Sequence, residues 1–158
     1  MKKLKIYFNT SAIAYLDQQD IPDKMADTLK LWEDVKAGKY EIVISDITLF
    51  EIEQAPEIKR DKLFTFLKDI EYTGTKKDAE AQRICQLYLD IGGLPHKSRI
   101  DAEHIAVATI SGCNAILSWN FKHIVNLRAM NAVDAVNIKE GYSPLRILSP
   151  SMLIESED

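Results

Sequence analysis

Two carboxylates and two amides in this 158-residue chain stand where short apolar segments give way to helix-forming ones. Asn9 follows KIYF, Glu51 lies just beyond EIVIS, Asp101 opens the apolar run IDAEHIAVATIS, and Asn120 follows AILSW. In an open α/β sheet, ligands bind in the crevice outside the carboxyl ends of the strands. With the first and fourth strands as neighbours, Asn9 and Asn120 are expected side by side at that edge, and Glu51 and Asp101 converge on them. Oxygen donors gathered in this way suit a hard divalent cation such as Mg2+ or Mn2+, which keeps several waters. On a phosphate, such an ion polarises the phosphoryl oxygen and makes hydroxide available near neutral pH.

Each residue also has a purely structural reading. Glu51 is either a solvated helix residue or, between Phe50 and Ile52 on a short apolar helix, a site carboxylate; convergence at the strand ends favours the second. Asp101 suits a helix N-terminus through the helix dipole, a role compatible with metal binding. Asn9 and Asn120 are favoured turn and cap residues, and an amide oxygen coordinates a cation only as a neutral donor. Thr10, Ser11 and Ser118 are expected to orient neighbours or bond the backbone. His104, one turn after Asp101, reads as a core or supporting histidine rather than a ligand, because oxygen-rich Mg2+ sites rarely use imidazole. His123 borders the crevice, and Lys97 and Arg99 either contact phosphate or lie in a solvated loop. Trp119 and Tyr7 read as core side chains.

Alternating strands and helices must position these groups. Lys5–Phe8 predicts a strand, followed by a helix through Leu16 capped by Thr10 or Ser11. Pro22 opens a second helix, with Met25, Leu29, Trp32 and Val35 at helical spacing and Gly38 at its end. Glu41–Ser45 is the second strand, and Asp46 or Thr48 caps the short helix that carries Glu51 and stops before Pro56. Asp61–Ile70 is amphipathic, Thr73–Thr75 is a short strand or turn, and Lys77–Ile91 is a helix closed by Gly92-Gly93 and Pro95. Ile100–Ser111 is apolar nearly all round, which predicts a buried helix ending at Gly112. Ala115–Ser118, a helix over His123–Lys139, a strand at Leu145–Leu148 and a short helix from Pro150 complete the chain. This order predicts a three-layer α/β/α sandwich around a mainly parallel sheet, in one domain spanning 1–158.

Composition agrees with a globular domain: 46% of residues are hydrophobic and 28% charged. No apolar run reaches the ~18–20 residues that a bilayer crossing needs. Asn9-Thr10-Ser11 interrupts the first apolar stretch, so the N-terminus reads as strand and helix rather than leader, and a cytoplasmic protein without a membrane partner is expected. Cys85 and Cys113 are isolated and read as reduced structural thiols. The net charge of −4 gives no global attraction to nucleic acid, although a local patch can still carry phosphate contacts. Neither GxGxxG nor GxxxxGK[ST] occurs, which argues against a nucleotide-binding α/β protein.

Four segments together resemble the PIN-domain proteins, many of which are toxin ribonucleases of toxin–antitoxin pairs. These are IYFNTSAIAYL, SDITLFEIEQ, DAEHIAVATISGCNAILSWNFKHI and RILSPSMLI, which span nearly the whole chain in order. The resemblance implies a PIN-like sandwich whose strand-ending Asp, helical Glu, helix-starting Asp and final strand-ending Asp hold Mg2+ or Mn2+ for RNA phosphodiester hydrolysis. Glu51 and Asp101 match that pattern; Asn9 replaces the first Asp, and Asn120 stands at the last position, where other members also carry Asn. Removing two charges from the cluster lowers its expected cation affinity. The resemblance therefore implies a ribonuclease of weakened activity, in a homodimer and with an antitoxin partner. The alternative is a degenerate domain kept as a binding or regulatory module. Pro22–Val35 and Asp61–Ile70, with Trp32, Phe64 and Phe66, present a surface apolar enough to seat a partner, though core packing explains those residues equally well.

Overall fold

The computed structural model describes residues 2–154. Five parallel strands form one sheet in the order β3-β2-β1-β4-β5, where β1 is Lys5–Phe8, β2 Glu41–Ser45, β3 Thr73–Thr75, β4 Ala115–Leu117 and β5 Arg146–Leu148. The chain moves outward from β1 through β2 to β3, then returns to place β4 on the other side of β1. That reversal makes the carboxyl ends of β1 and β4 the switch point of the sheet, where a crevice opens because the flanking connections leave in opposite directions.

Strand alternation sends neighbouring residues to opposite faces and builds a separate core on each. Ile6, Phe8, Ile42, Ile44 and Leu117 face one layer, where they pack with Ile13, Trp32 and Leu63. Tyr7, Val43 and Ile116 face the other, with Ile84, Tyr88, Ile105 and Val133. The first layer comprises α1 (Thr10–Ala14), α2 (Pro22–Lys36), α4 (Glu57–Lys68) and α8 (Pro150–Ile154). The second holds α5 (Ala79–Asp90), α6 (Arg99–Ile110) and α7 (Leu127–Glu140). The short α3 (Asp46–Glu53) carries Glu51 off the end of β2. The three-layer α/β/α expectation holds, with every strand pairing parallel.

Several boundaries differ from the sequence reading. Asn9 itself caps α1, through its side-chain oxygen and the Ser11 N–H, so neither Thr10 nor Ser11 is the cap. Ser45 rather than Asp46 or Thr48 caps α3. The helix read from Asp61 starts at Glu57, and the one read from Lys77 starts at Ala79 after the Asp78 cap. The largest change lies after β4. The helix expected from His123 begins only at Leu127, because Asn126 caps it, and residues 119–126 form a tight turn. Cys85 and Cys113 are buried and unpaired, and burial pushes the Cys113 thiol up to about 12. Both behave as inert packing groups.

Candidate metal centre and its buried support

Register decides what faces what at the switch point. Phe8 pairs with Leu117, so the residue beside Asn9 is Ser118, not Asn120. Ser118 Oγ lies 3.4 Å from Asn9 Oδ1, and Asn120 sits two residues further on, in the turn. The expected side-by-side pair of asparagines therefore does not form.

Asn9 is buried, and its Oδ1 accepts from the backbone N–H of Ser11 at 3.1 Å, from Ser11 Oγ at 3.0 Å and from Ser118 Oγ. A backbone N–H can only donate, so the atom facing it must be the amide oxygen. The other branch of Asn9 is then NH2, a donor that cannot hold a cation. The same logic applies to Asn120. Its Oδ1 accepts from the His123 N–H at 3.1 Å, and its Nδ2 donates to Asp101 Oδ2 at 3.2 Å. Both asparagines thus build the frame of the crevice with the oxygens that a metal would need.

The two carboxylates do come together, each held by one oxygen. Asp101 lies in the first turn of α6, where its Oδ2 takes the Asn120 amide and stands 3.7 Å from His123 Nδ1. Burial raises the Asp101 carboxyl above its ordinary range; His104 and His123 oppose that rise, and the nearby Glu51 charge adds to it. Glu51 Oε1 accepts from Thr10 Oγ1 at 2.7 Å and lies 2.6 Å from His104 Nε2. Burial pushes the Glu51 carboxyl up, but the hydrogen bonds from His104 and Thr10, with the electrostatic pull of His104, more than reverse it, so it ends below its ordinary value. Glu51 Oε2 and Asp101 Oδ1 have no hydrogen-bond partner among the described residues.

His104 belongs to a buried chain that sequence reading missed. Its Nδ1 lies 2.6 Å from the Tyr7 hydroxyl, which lies 2.6 Å from Ser45 Oγ; Ser45 in turn accepts from the Thr48 N–H at 3.3 Å. His104, Tyr7 and Ser45 are each at most 1% exposed. An ionised carboxylate can only accept, so Nε2–H of His104 donates to it, and the contacts running through Nδ1, the Tyr7 hydroxyl and Ser45 Oγ leave each buried polar atom of the chain with a partner. Burial keeps the Tyr7 phenol protonated by raising it well above its usual range. A tyrosine and a serine inside apolar strands, facing a helix that carries histidine, are the available signal for this chain.

The remaining candidates fall on either side of the crevice. Ser11 Oγ also accepts from the Trp119 N–H at 2.9 Å, and Ser118 Oγ accepts from the Asn120 N–H at 3.0 Å, so both hydroxyls brace the turn. Lys97 and Arg99 are exposed, and Arg99 donates to Gln86 on α5 at 3.0 Å, away from the carboxylates. Trp119 is a core residue, 5% exposed, with its Nε1 donating to Thr28 Oγ1 at 2.9 Å and its ring stacked on Tyr15.

Among the described residues, no three His, Cys, Asp or Glu side chains are grouped to hold a metal ion. The donor set offers two carboxylate oxygens, one each from Glu51 and Asp101. That fits a Mg2+ or Mn2+ ion bound mainly through water and a substrate phosphate, since Mg2+ needs only one or two carboxylates in that mode. It does not fit a closed all-protein cage.

No protein-family model matches the chain, and no curated protein does either. Solved structures do. A chain of the DNA-bound VapBC structure from Salmonella typhimurium aligns at a TM-score of 0.54 and 15% identity, covering 93% of this chain and 98% of that one. A chain of VapBC2 from Rickettsia felis, bound to a DNA fragment from their promoter, aligns at 0.56 and 17% identity, covering 92% and 98%. At such identities the likeness is one of fold, and that fold is the PIN-like α/β/α sandwich expected from the sequence.

Proposed function

We propose that this chain is a PIN-domain ribonuclease of the toxin type, with a weakened two-carboxylate centre for Mg2+ or Mn2+, and that it is paired with an antitoxin. The observation that carries this reading is the convergence of Glu51 and Asp101 at the β1/β4 switch point, each with one oxygen held by the protein and one open. A bound divalent ion supplies charge neutralisation on a phosphate and a more acidic water. Glu51, fixed by Thr10 and His104, and Asp101, fixed by Asn120, are the residues that hold it. Asn9 lowers the affinity by placing an amide NH2 where the resembled family has a carboxylate oxygen.

The partner reading draws on the two VapBC structures, each solved with DNA. An apolar groove of about 570 Å3 between α2 and α4, lined by Met25, Leu29 and Phe66, offers a seat for an antitoxin segment. RNA as substrate and a homodimer come from the family resemblance, and a cytoplasmic setting from the reading of the N-terminal segment as strand and helix. No helix among the described residues is long and apolar enough to cross a membrane.

Calorimetric titration with Mn2+, together with a cleavage assay on single-stranded RNA, tests the proposal. Saturable binding in the millimolar range or tighter, and cleavage abolished by Glu51→Gln and by Asp101→Asn, is the expected result. Cleavage that survives both substitutions would place the chemistry elsewhere. The second reading, a non-catalytic binding or regulatory module, is favoured by the full engagement of the Asn9 oxygen. It stands if no saturable Mn2+ binding and no cleavage occur.

A further inference from the structure

The turn over residues 119–126, of which residues 123–126 were expected to be helix, points its side chains in three directions from a fixed base. Ile124 and Val125 are buried and anchor it in the core. Asn120 carbonyl oxygen accepts from the N–H groups of Ile124 and Val125 at 3.0 and 2.9 Å, and Asn126 Nδ2 donates to the carbonyls of Phe121 and Lys122 at 3.3 and 3.1 Å. Such a turn is held in place before any ligand arrives, which lowers the ordering cost of binding.

Phe121, Lys122 and His123 are what it presents. Phe121 is 42% exposed, with its ring edge against Trp119 at 6.1 Å and Lys24 Nζ 5.0 Å from the ring centroid. On another side, Lys122, His123 and Arg128 line a cavity of about 180 Å3 with Gly92, Gly93 and Asn126, and no acidic residue lines it. Lys122 and Arg128 have no ion-pair partner among the described residues, although the chain as a whole carries a net charge of −4. His123 joins this cavity to the carboxylates, since its Nδ1 lies 3.7 Å from Asp101 Oδ2. An unpaired cationic pocket and an exposed aromatic ring on one rigid turn beside a carboxylate pair match what a single-stranded nucleic acid offers: a phosphate and an unstacked base.

We infer that this turn is a strand-guiding subsite. Lys122 and Arg128 receive a backbone phosphate of single-stranded RNA next to the one at Glu51 and Asp101, and Phe121, with Lys24, stacks a flanking base. The cavity is smaller than the ~300 Å3 at which pockets for whole drug-sized ligands begin, which suits a phosphate rather than a nucleoside. This inference rests on the RNA reading above but concerns binding, so it can be tested without cleavage.

Fluorescence anisotropy of a labelled single-stranded oligoribonucleotide, in EDTA and over a range of NaCl concentrations, is the experiment. Lys122→Ala with Arg128→Ala is expected to weaken binding about tenfold and to lower the salt slope by about 0.7, the contribution of one single-stranded phosphate contact. Phe121→Ala is expected to weaken binding about fivefold or more, and to leave binding of an abasic strand of equal length unchanged. Arg128→Lys, in an otherwise unchanged chain with the same circular dichroism spectrum, should retain the salt slope. Wild-type affinity in all the variants overturns the subsite while leaving the nuclease reading intact. Loss of binding in the variants, from a wild type that never cleaves, supports the subsite and removes the nuclease. A wild type that binds no RNA, or variants that lose only an acidic peptide such as polyglutamate, overturns the subsite outright.

Discussion

Nε2 of His104 lies 2.6 Å from Oε1 of Glu51, while the opposite nitrogen of the same ring lies 2.6 Å from the Tyr7 hydroxyl. A fully buried side chain thereby sets the direction of a half-buried carboxylate at the mouth of the crevice. Thr10 holds the same oxygen from the other side, so the two constraints leave Oε2 as the branch available to a ligand.

His104→Ala is therefore expected to destabilise the fold, because it removes one of the two partners of the buried Tyr7 hydroxyl and one of the partners of Glu51. Each buried polar group left unpaired costs about 1–3 kcal/mol. For a chain of this length every 1 kcal/mol corresponds to roughly 2–4 °C in Tm. Urea unfolding checks this, with His104→Gln expected to recover part of the loss. An unchanged midpoint in His104→Ala would contradict the network.

The two carboxylates predict opposite pH behaviour. Glu51 is held below its ordinary value, so its ionised form contributes stability above the unfolded pKa near 4.3, and that contribution is lost as pH falls through the lower folded value. Asp101 is raised, so its contribution is present below about pH 3.9 and is lost as pH rises through the higher folded value. Asp101→Asn should therefore be more stable than wild type at pH 7 in the absence of metal, and Glu51→Gln should lose part of the acid-side slope. Denaturation midpoints measured from pH 3 to pH 7 read both signs; a less stable Asp101→Asn at pH 7 would refute the second.

Asn9→Asp adds a third carboxylate where one oxygen keeps the bonds to Ser11 and Ser118 and the other replaces the NH2 group. A unit charge about 4 Å from a cation is worth about 4 kcal/mol at an effective dielectric of ~20, before desolvation. Mn2+ affinity should rise at least about tenfold by calorimetry, and cleavage should rise with it. The metal-free variant should be less stable than wild type, since Asn9 is only 5% exposed, and Mn2+ should restore it.

Gly93 has no room for a side chain. A Cβ there would lie 1.9 Å from Ala132 Cβ and 3.1 Å from the Arg128 carbonyl oxygen, both on α7. Gly93→Ala should cost about 1–3 kcal/mol or more through overpacking, read as a lower unfolding midpoint. Gly92→Ala tests a different term, because nothing lies near its Cβ position and only its φ of +88° resists. Its cost should be nearer 1 kcal/mol.

Strand and helix order was readable because burial imposes periodicity. KIYF, EIVIS and the apolar run from Ile100 to Ser111 are patterned by the layers they sit in, and each became the element its pattern implied. The resemblance that rests on those same segments led to the fold of the VapBC structures without any close sequence relative. Boundaries were harder. Asn9, Ser45 and Asn126 proved to be the caps, although neighbouring Thr10, Ser11, Asp46 and Thr48 carry equally plausible oxygens. A cap is chosen by local backbone direction, which residue type alone does not reveal.

By itself the sequence determined that Glu51 and Asp101 stand at the crevice end of a parallel sheet, because strand order and hydrophobic pattern are properties of the chain. Only the tertiary structure decided what Asn9 and Asn120 do there. Register put Ser118 beside Asn9, and the Asn126 cap delayed α7 and opened a turn at residues 119–126. Obligate backbone donors from Ser11 and His123 then claimed both amide oxygens. Which face of an amide meets a backbone N–H depends on contacts between residues remote in sequence, and these exist only once the chain has folded.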